Sequence, residues 1–349
     1  MALRQRFLRL LAPLGVLVTS LGIFPVAADQ SAVILIYHRF GEDNVPATNV
    51  TEDQFRSHVS ELKAGGYNVL PLDEVVTRLR ARQELPARSV AITVDDAYTS
   101  FQTLGWPVLK EAGFPVTLFV STDMTDSPGQ GYLGWDAVRA LRAEGVAIGH
   151  HGAAHLHSVH AGVNEAKADI ARASSRFQQE LGSVPPFFAY PYGEYDLALR
   201  KVVQQAGFKA ALAQFSGVAG MGSDPFALPR FPFNQNYSGL DRFKLIVNAQ
   251  ALPVSEMVPA EPVLAADRNP PLFGFTLERP VPGLKALSCY PSHMSEPAKV
   301  TVIGEQRVEV RFDKPFPPGR SRINCTMPGP DRRWYWLGQF FMVMGGTLD

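Results

Sequence analysis

Residues Ser89–Tyr98 read SVAITVDDAY, an apolar run that stops at two adjacent acids. Val90, Ala91, Ile92 and Val94 predict a short buried strand with Asp95 and Asp96 at its end. A buried carboxylate is costly unless it neutralises, pairs with a charge or binds a metal, so this pair calls for a cation. Beyond a strand end the backbone turns, and neighbouring side chains need not alternate faces. One acid can then ligate an ion while the other stays free as a base. The plainer alternative is an Asp N-cap for a helix starting near Thr99.

On either side of this stretch, strand and helix patterns take turns. Val33–Tyr37 is a strand ending at His38, and Thr51 with Gln54 three residues on marks a capped helix over Glu52–Ala64. Val69-Leu70, Val116–Val120, Val146–Ile148, Phe187–Tyr190 and Ala210–Ala213 read as strands. Helices are expected at Asp73–Arg82, Thr99–Ala112, Trp135–Ala143, Asn164–Leu181 and Tyr195–Ala206. Such alternation predicts a parallel sheet, closed into a distorted (β/α) barrel. In these folds the working residues lie on loops after the strands' carboxyl ends. His38, Asp95-Asp96, His150-His151 and Tyr190–Gly193 all fall there.

The strand Val146–Ile148 leads into a stretch in which five of the eight histidines fall between His150 and His160. The four-residue spacing of His151 and His155 predicts one face of a helical turn, with both imidazoles reaching one ion. Two histidines and a carboxylate, here Asp96, form a common set for zinc or another first-row divalent metal, cobalt, nickel or iron among them. A solvated histidine-rich loop is the bland alternative.

The termini differ in character. Arg4, Arg6 and Arg9 precede an uncharged run from Leu10 to Ala28 that ends in small residues, the pattern of a signal peptide over residues 1–28; an uncleaved membrane anchor is the alternative. The remaining chain is expected to be exported, to the periplasm or beyond. Lysines and arginines number 33 and the acids 33, a balance that offers no field for nucleic acid or an anionic membrane. Contact with a membrane is therefore expected only through the leader, and the protein is expected to be a monomer. Cys289 and Cys325, the only cysteines, are expected to form a disulfide in an exported chain.

After about residue 250 the pattern changes. Ala251–Pro271 is proline-rich and aperiodic, reading as a linker or an irregular crossover. Short alternating runs then follow at Leu272–Leu277, Lys285–Cys289, Lys299–Ile303, Arg307–Phe312, Ser321–Thr326 and Trp334–Met342, a pattern that predicts a small antiparallel β-sandwich over 251–349, with the α/β domain at 29–250. Trp334, Tyr335 and Trp336 could form a sugar platform, and so could Tyr98, Trp135, Tyr190 and Tyr192 nearer the motifs; core packing explains aromatics as often.

Taken in order, the motifs resemble those of the polysaccharide deacetylase family, also called carbohydrate esterase family four or the NodB-homology domain. Thr93-Val94-Asp95-Asp96-Ala97 resembles its T-F-D-D-G motif, His151-Gly152-Ala153-Ala154-His155 its H-[ST]-x-x-H, and Ala189-Tyr190-Pro191-Tyr192-Gly193 its R-x-P-[FY]-G. Tyr132–Trp135 and Leu228-Pro229-Arg230 are also similar to stretches found in such enzymes.

The resemblance implies Asp95 as general base, Asp96, His151 and His155 as metal ligands, and the Tyr192 backbone N–H as an oxyanion donor. Ala189 stands where many members carry an arginine that pairs with the base, which makes Arg230 the candidate for that restraint. No clear late histidine motif follows Arg230. The first-strand histidine of exported poly-N-acetylglucosamine deacetylases, which have a permuted motif order, makes His38 the candidate general acid.

The implied activity is metal-dependent hydrolysis of N-acetyl groups on a polysaccharide. A bound ion brings the pKa of water from about 15.7 towards 7. An O-acetyl esterase on a similar glycan and a non-catalytic glycan-binding protein are the rival readings.

Overall fold

The computed structural model of the protein describes residues 28–329 and 332–345; apart from Ala28, the expected leader lies outside the described residues. Among the described residues, no helix is long and apolar enough to cross a membrane.

The first unit is built on two fully buried parallel strands, Ser31–Tyr37 and Ser89–Val94, paired from Ala32 opposite Ser89 to Tyr37 opposite Val94. Their near-continuous Val/Ile/Leu/Ala composition suits strands covered on both faces. Thr117–Val120, Ala147–His150, Phe187–Ala189 and Ala210–Leu212 extend the sheet in parallel, in that order. The segment 228–232 draws its two edges together: Leu228 bridges Leu212, and Phe231-Pro232 pairs in parallel with Leu35-Ile36. The result is a distorted, incompletely closed barrel.

Helices form as the pattern predicts where an apolar stripe meets a cap. Thr51 Oγ1 accepts from the Gln54 N–H, and Gln54 Oε1 accepts from the Thr51 N–H, a reciprocal cap on Glu52–Ala64. Between Thr99 and Ala112 the single helix expected from sequence is divided: a π-helical turn, Phe101–Gly105, runs into an α-helix over Trp106–Ala112. Pro107 explains the division, since it has no N–H for an interior helical bond and is accommodated in the first turn.

The C-terminal part forms two four-stranded sheets. One has the order Val254–Val258, Phe273–Leu277, Arg307–Arg311, Lys299–Ile303; the other, Val263–Leu264, Trp334–Val343, Gly319–Pro328, Ser288–Pro291. Phe273, Phe275, Val308 and Val310 of the first share a core with Ile323, Cys325, Met327 and Phe341 of the second, so the sheets pack as a sandwich.

The proline-rich stretch 251–271, expected to be a linker or an irregular crossover, supplies one edge strand to each sheet. Proline is tolerated at an edge because no partner there needs its missing N–H. Cys289 and Cys325 sit opposite each other on paired strands and form the disulfide. The sandwich packs on the barrel through the Trp336 indole, edge-on to Phe231 at 5.0 Å, and through Phe340, which joins the Tyr195 and Phe215 cluster.

Candidate active site

Parallel pairing brings His38 and Asp95 out of the barrel side by side, and the Asp95 N–H donates to the Tyr37 carbonyl at 2.9 Å. The next two residues, Asp96 and Ala97, have φ of 73° and 56°, in the left-handed region. This turn breaks the alternation of a strand and lets both carboxylates serve one site.

The two acids have different partners. Asp95 receives a fork from Arg230, Nη1 to Oδ1 at 2.7 Å and Nη2 to Oδ2 at 2.8 Å, while Arg230 Nε donates to the Ala213 carbonyl at 2.8 Å. Both side chains are buried, Arg230 completely. Burial pushes the Asp95 carboxyl up, but Arg230, His151 and His38 together hold it below its ordinary range.

Asp96 instead faces two imidazoles, with Oδ1 3.1 Å from His155 Nε2 and 3.4 Å from His151 Nε2. Burial pushes this carboxyl up as well, and the two histidines, with His38, outweigh it and hold it well below the usual carboxylate range.

The donor set fits a divalent ion. One ligand atom each from Asp96, His151 and His155 lies within 4.8 Å of the others. His151 Nδ1 lies 2.8 Å from the Ala189 carbonyl, which fixes Nδ1 as the protonated nitrogen and leaves a lone pair on Nε2. Two imidazole nitrogens and a carboxylate oxygen suit zinc and its first-row neighbours.

The segment carrying the histidines is a loop and not the helical turn expected from their spacing. Gly152 has φ of 75° and His155 of 52°, and the Ala153 and Ala154 N–H groups donate to Asp169 Oδ2 and Oδ1 at 2.8 and 2.9 Å. Local N–H groups bonded to a side chain are lost to a helix ladder. A Cβ at Gly152 would stand 2.7 Å from Asp169 Oδ2, so the position where many relatives of the motif carry a hydroxyl has no room for a side chain here.

Asp169 was not singled out from the sequence. Its signal was present: it lies with Ala166, Ile170, Ala173 and Phe177 on the buried stripe of the helix Val163–Leu181, where an acid needs a reason.

Tyr192 has φ of 58° and lies beside the trio, its ring 4.5 Å from that of His155. His38 is 9% exposed, and its Nδ1 has no hydrogen-bond partner. Burial lowers its pKa, with Asp96 and Asp95 opposing that shift in part. All seven residues singled out from sequence, His38, Asp95, Asp96, His151, His155, Tyr192 and Arg230, therefore belong to strand ends or loops at one end of the barrel.

The aromatic residues fare differently. Tyr190 is fully buried, and Trp135 and Tyr98 are 7% and 8% exposed, so these three are packing residues. In the C-terminal stretch only Trp334 is open, Tyr335 is buried and Trp336 Nε1 donates to Asn324. No three-residue platform forms, because alternation along the strand turns Tyr335 inward.

Fold and site together define an α/β half-barrel protein with a candidate mononuclear metal centre beside an arginine-locked acid. Residues 82–211 match the family profile described as Polysaccharide deacetylase. It is similar to the Bacillus subtilis protein named "Putative polysaccharide deacetylase YxkH", 25% identical over 206 residues that cover 59% of this chain and 72% of that one. It is also similar to the Poly-beta-1,6-N-acetyl-D-glucosamine N-deacetylase of Staphylococcus epidermidis, 30% identical over 108 residues, 27% of this chain and 37% of that one. Among solved structures, the Streptococcus pyogenes deacetylase PplD in complex with acetate superposes with a TM-score of 0.57 at 22% identity, covering 62% of this chain and 98% of that chain.

Proposed function

We propose that this chain is an exported, metal-dependent hydrolase that removes N-acetyl groups from a polysaccharide of N-acetylated amino sugars. The observation that carries the reading is the division of labour between adjacent acids: Asp96 sits 3.1 and 3.4 Å from His155 and His151, whereas Asp95 is forked by Arg230 and stands farther from His151, at 3.9 Å. The match of residues 82–211 to the polysaccharide deacetylase profile supports an acetylated glycan as substrate, and the similarity to a poly-N-acetylglucosamine N-deacetylase supports the N-acetyl class. The disulfide Cys289–Cys325 supports an oxidising, extracytoplasmic setting.

Asp96, His151 and His155 would hold the divalent ion, zinc in this reading. The ion supplies Lewis acidity, which makes water nucleophilic near neutral pH and polarises the acetyl carbonyl. Asp95 serves as base. Arg230 occupies one lone pair on each oxygen and keeps the group ionised, and Oδ2, 3.9 Å from His151 Nε2, retains capacity to accept the proton of the attacking water. The Tyr192 N–H, in a turn fixed at positive φ, donates to the oxyanion as it forms. His38 protonates the departing amine from its place beside Asp95 at the end of the paired strands.

Acetate release tests the proposal. The purified protein should liberate acetate from β-1,6-linked and chitin-type N-acetylglucosamine oligomers, lose that activity on chelation and regain it with zinc. Asp95→Asn should abolish turnover while zinc is retained. Acetate release that survives thorough metal removal, or release from O-acetylated glycans alone, would overturn the reading.

A further inference from the structure

A second trio of metal-type ligands lies outside the set assigned above. His157, His160 and Glu194 each bring one ligand atom within 4.8 Å of the others. They come from neighbouring strand ends. His157 and His160 belong to the loop and short helical turn, Ser158–Ala161, after the strand Ala147–His150; Glu194 follows the turn Pro191–Gly193, after Phe187–Ala189.

Three observations make this more than a chance gathering. The donor set, two imidazoles and one carboxylate, repeats that of Asp96, His151 and His155, and so does the closest approach: His157 Nδ1 lies 3.1 Å from Glu194 Oε2, as His155 Nε2 does from Asp96 Oδ1. Glu194 is 4% exposed, an acid that needs compensation, and His160 Nδ1 is buried with no hydrogen-bond partner. Arg320 of the C-terminal sandwich approaches Glu194 through Oε1, at 3.4 Å from its Nε, and leaves Oε2 to the histidine side.

The geometry points to a second divalent-cation site formed by His157, His160 and Glu194, taking a first-row ion of the zinc type. Borderline-soft imidazole nitrogens with a single carboxylate favour such an ion over calcium or magnesium, which prefer oxygen donors. The site has a structural consequence for the first centre. The His157 ring lies face to face with the Tyr192 ring, 3.6 Å between centroids and 8° between planes, and Arg320 donates to the Tyr192 carbonyl. An ion bound to His157 and Glu194 ties down the turn on both sides of Tyr192, and with it the N–H proposed above as the oxyanion donor. It joins the loops of two barrel strands at a point the sandwich also touches.

The test counts ions. Full-length protein is stripped with a chelator, re-equilibrated against a buffered low concentration of free zinc, and assayed for zinc per chain by mass spectrometry. Two ions per chain are expected. His160→Ala and the near-isosteric Glu194→Gln should each reduce the count to one, with circular dichroism confirming the fold. The double variant Asp96→Asn/His155→Ala should also hold one ion, at the second site.

The two readings fail separately. If wild-type protein binds one ion, lost in the Asp96→Asn/His155→Ala variant and kept in His160→Ala and Glu194→Gln, the second site is overturned and the first stands. If the one ion is lost in His160→Ala and kept in the double variant, the second site stands and the first falls. No zinc bound in any variant or in wild type overturns both.

Discussion

Replacing Arg230 by Met should expose how much the buried Asp95 depends on one guanidinium. The substitution keeps most of the volume but removes the fork to both Asp95 oxygens, together with the bonds to the Ala213 carbonyl and Thr93 Oγ1. Breaking a buried ion pair from one side costs about 3–5 kcal/mol, because the remaining charge has no compensation.

The sign of the pH dependence follows from the environment. In the native protein the Asp95 carboxyl is held low, so its contribution to stability is present above its unfolded pKa and lost as pH falls through the lower folded value. Without Arg230, burial, the largest influence on this group, raises the folded pKa above the unfolded one. The variant's carboxyl then disfavours folding as pH rises. The destabilisation of Arg230→Met should therefore grow from mildly acidic to neutral pH, at up to about 1.4 kcal/mol per pH unit for one proton.

Urea unfolding of metal-free protein at several pH values, for wild type, Arg230→Met, Asp95→Asn and the double variant, provides the cycle. A coupling of about 2–3 kcal/mol near neutral pH is expected, and Arg230→Met should lose its pH dependence in the Asp95→Asn background. Additive effects, or a loss that is the same at every pH, would refute the pairing as the restraint on Asp95.

Three further outcomes follow from other parts of the molecule. His58 is buried between the Tyr37 hydroxyl and the Ser238 carbonyl, and burial lowers its pKa from 6.5 to about 4. The unfolded chain binds the proton first, so stability present above pH 6.5 should fall by about 3 kcal/mol as pH drops to 4, and His58→Gln should flatten that part of the urea-derived profile. Gly152→Ala forces a side chain onto a φ of 75° and against Asp169. It should cost about 1–3 kcal/mol and weaken zinc retention in chelator competition, whereas unchanged zinc affinity would show that the Asp169-held loop does not position the ligands. Removing the disulfide with Cys289→Ser/Cys325→Ser opens a loop of 36 residues, and a loss of about 4 kcal/mol is expected from chain entropy, read as a lower melting temperature.

Much of the barrel was legible because its strands are buried on both faces. Runs such as Val33–Tyr37 and Ser89–Val94 cannot be mistaken for exposed edges, and each ends at a residue with chemistry in its side chain. Acidic and imidazole clusters at those ends carried the site for the same reason: a polar group at the end of an apolar strand has little structural cause to be there.

What escaped the sequence depends on contacts far apart in the chain. The loop geometry of His151–His155 is set by Asp169, which is only a helix residue until the fold brings it beneath the loop. The edge strands within 251–271 have no periodicity of their own, and partners at 274–277 and 342–343 define them. Tyr190 and Trp135, aromatic and close to the motifs, were equally consistent with a groove and a core until their burial was seen.

The metal centre proposed for Asp96, His151 and His155 leaves the neighbouring acid, Asp95, outside its coordination. Crystals of zinc-loaded protein, measured on both sides of the zinc absorption edge, give the most direct test. An anomalous peak is expected about 2.0–2.2 Å from an Asp96 carboxylate oxygen and from His151 and His155 Nε2, with Asp95 still held by Arg230. A peak bonded to Asp95, or none among these three residues, would contradict it.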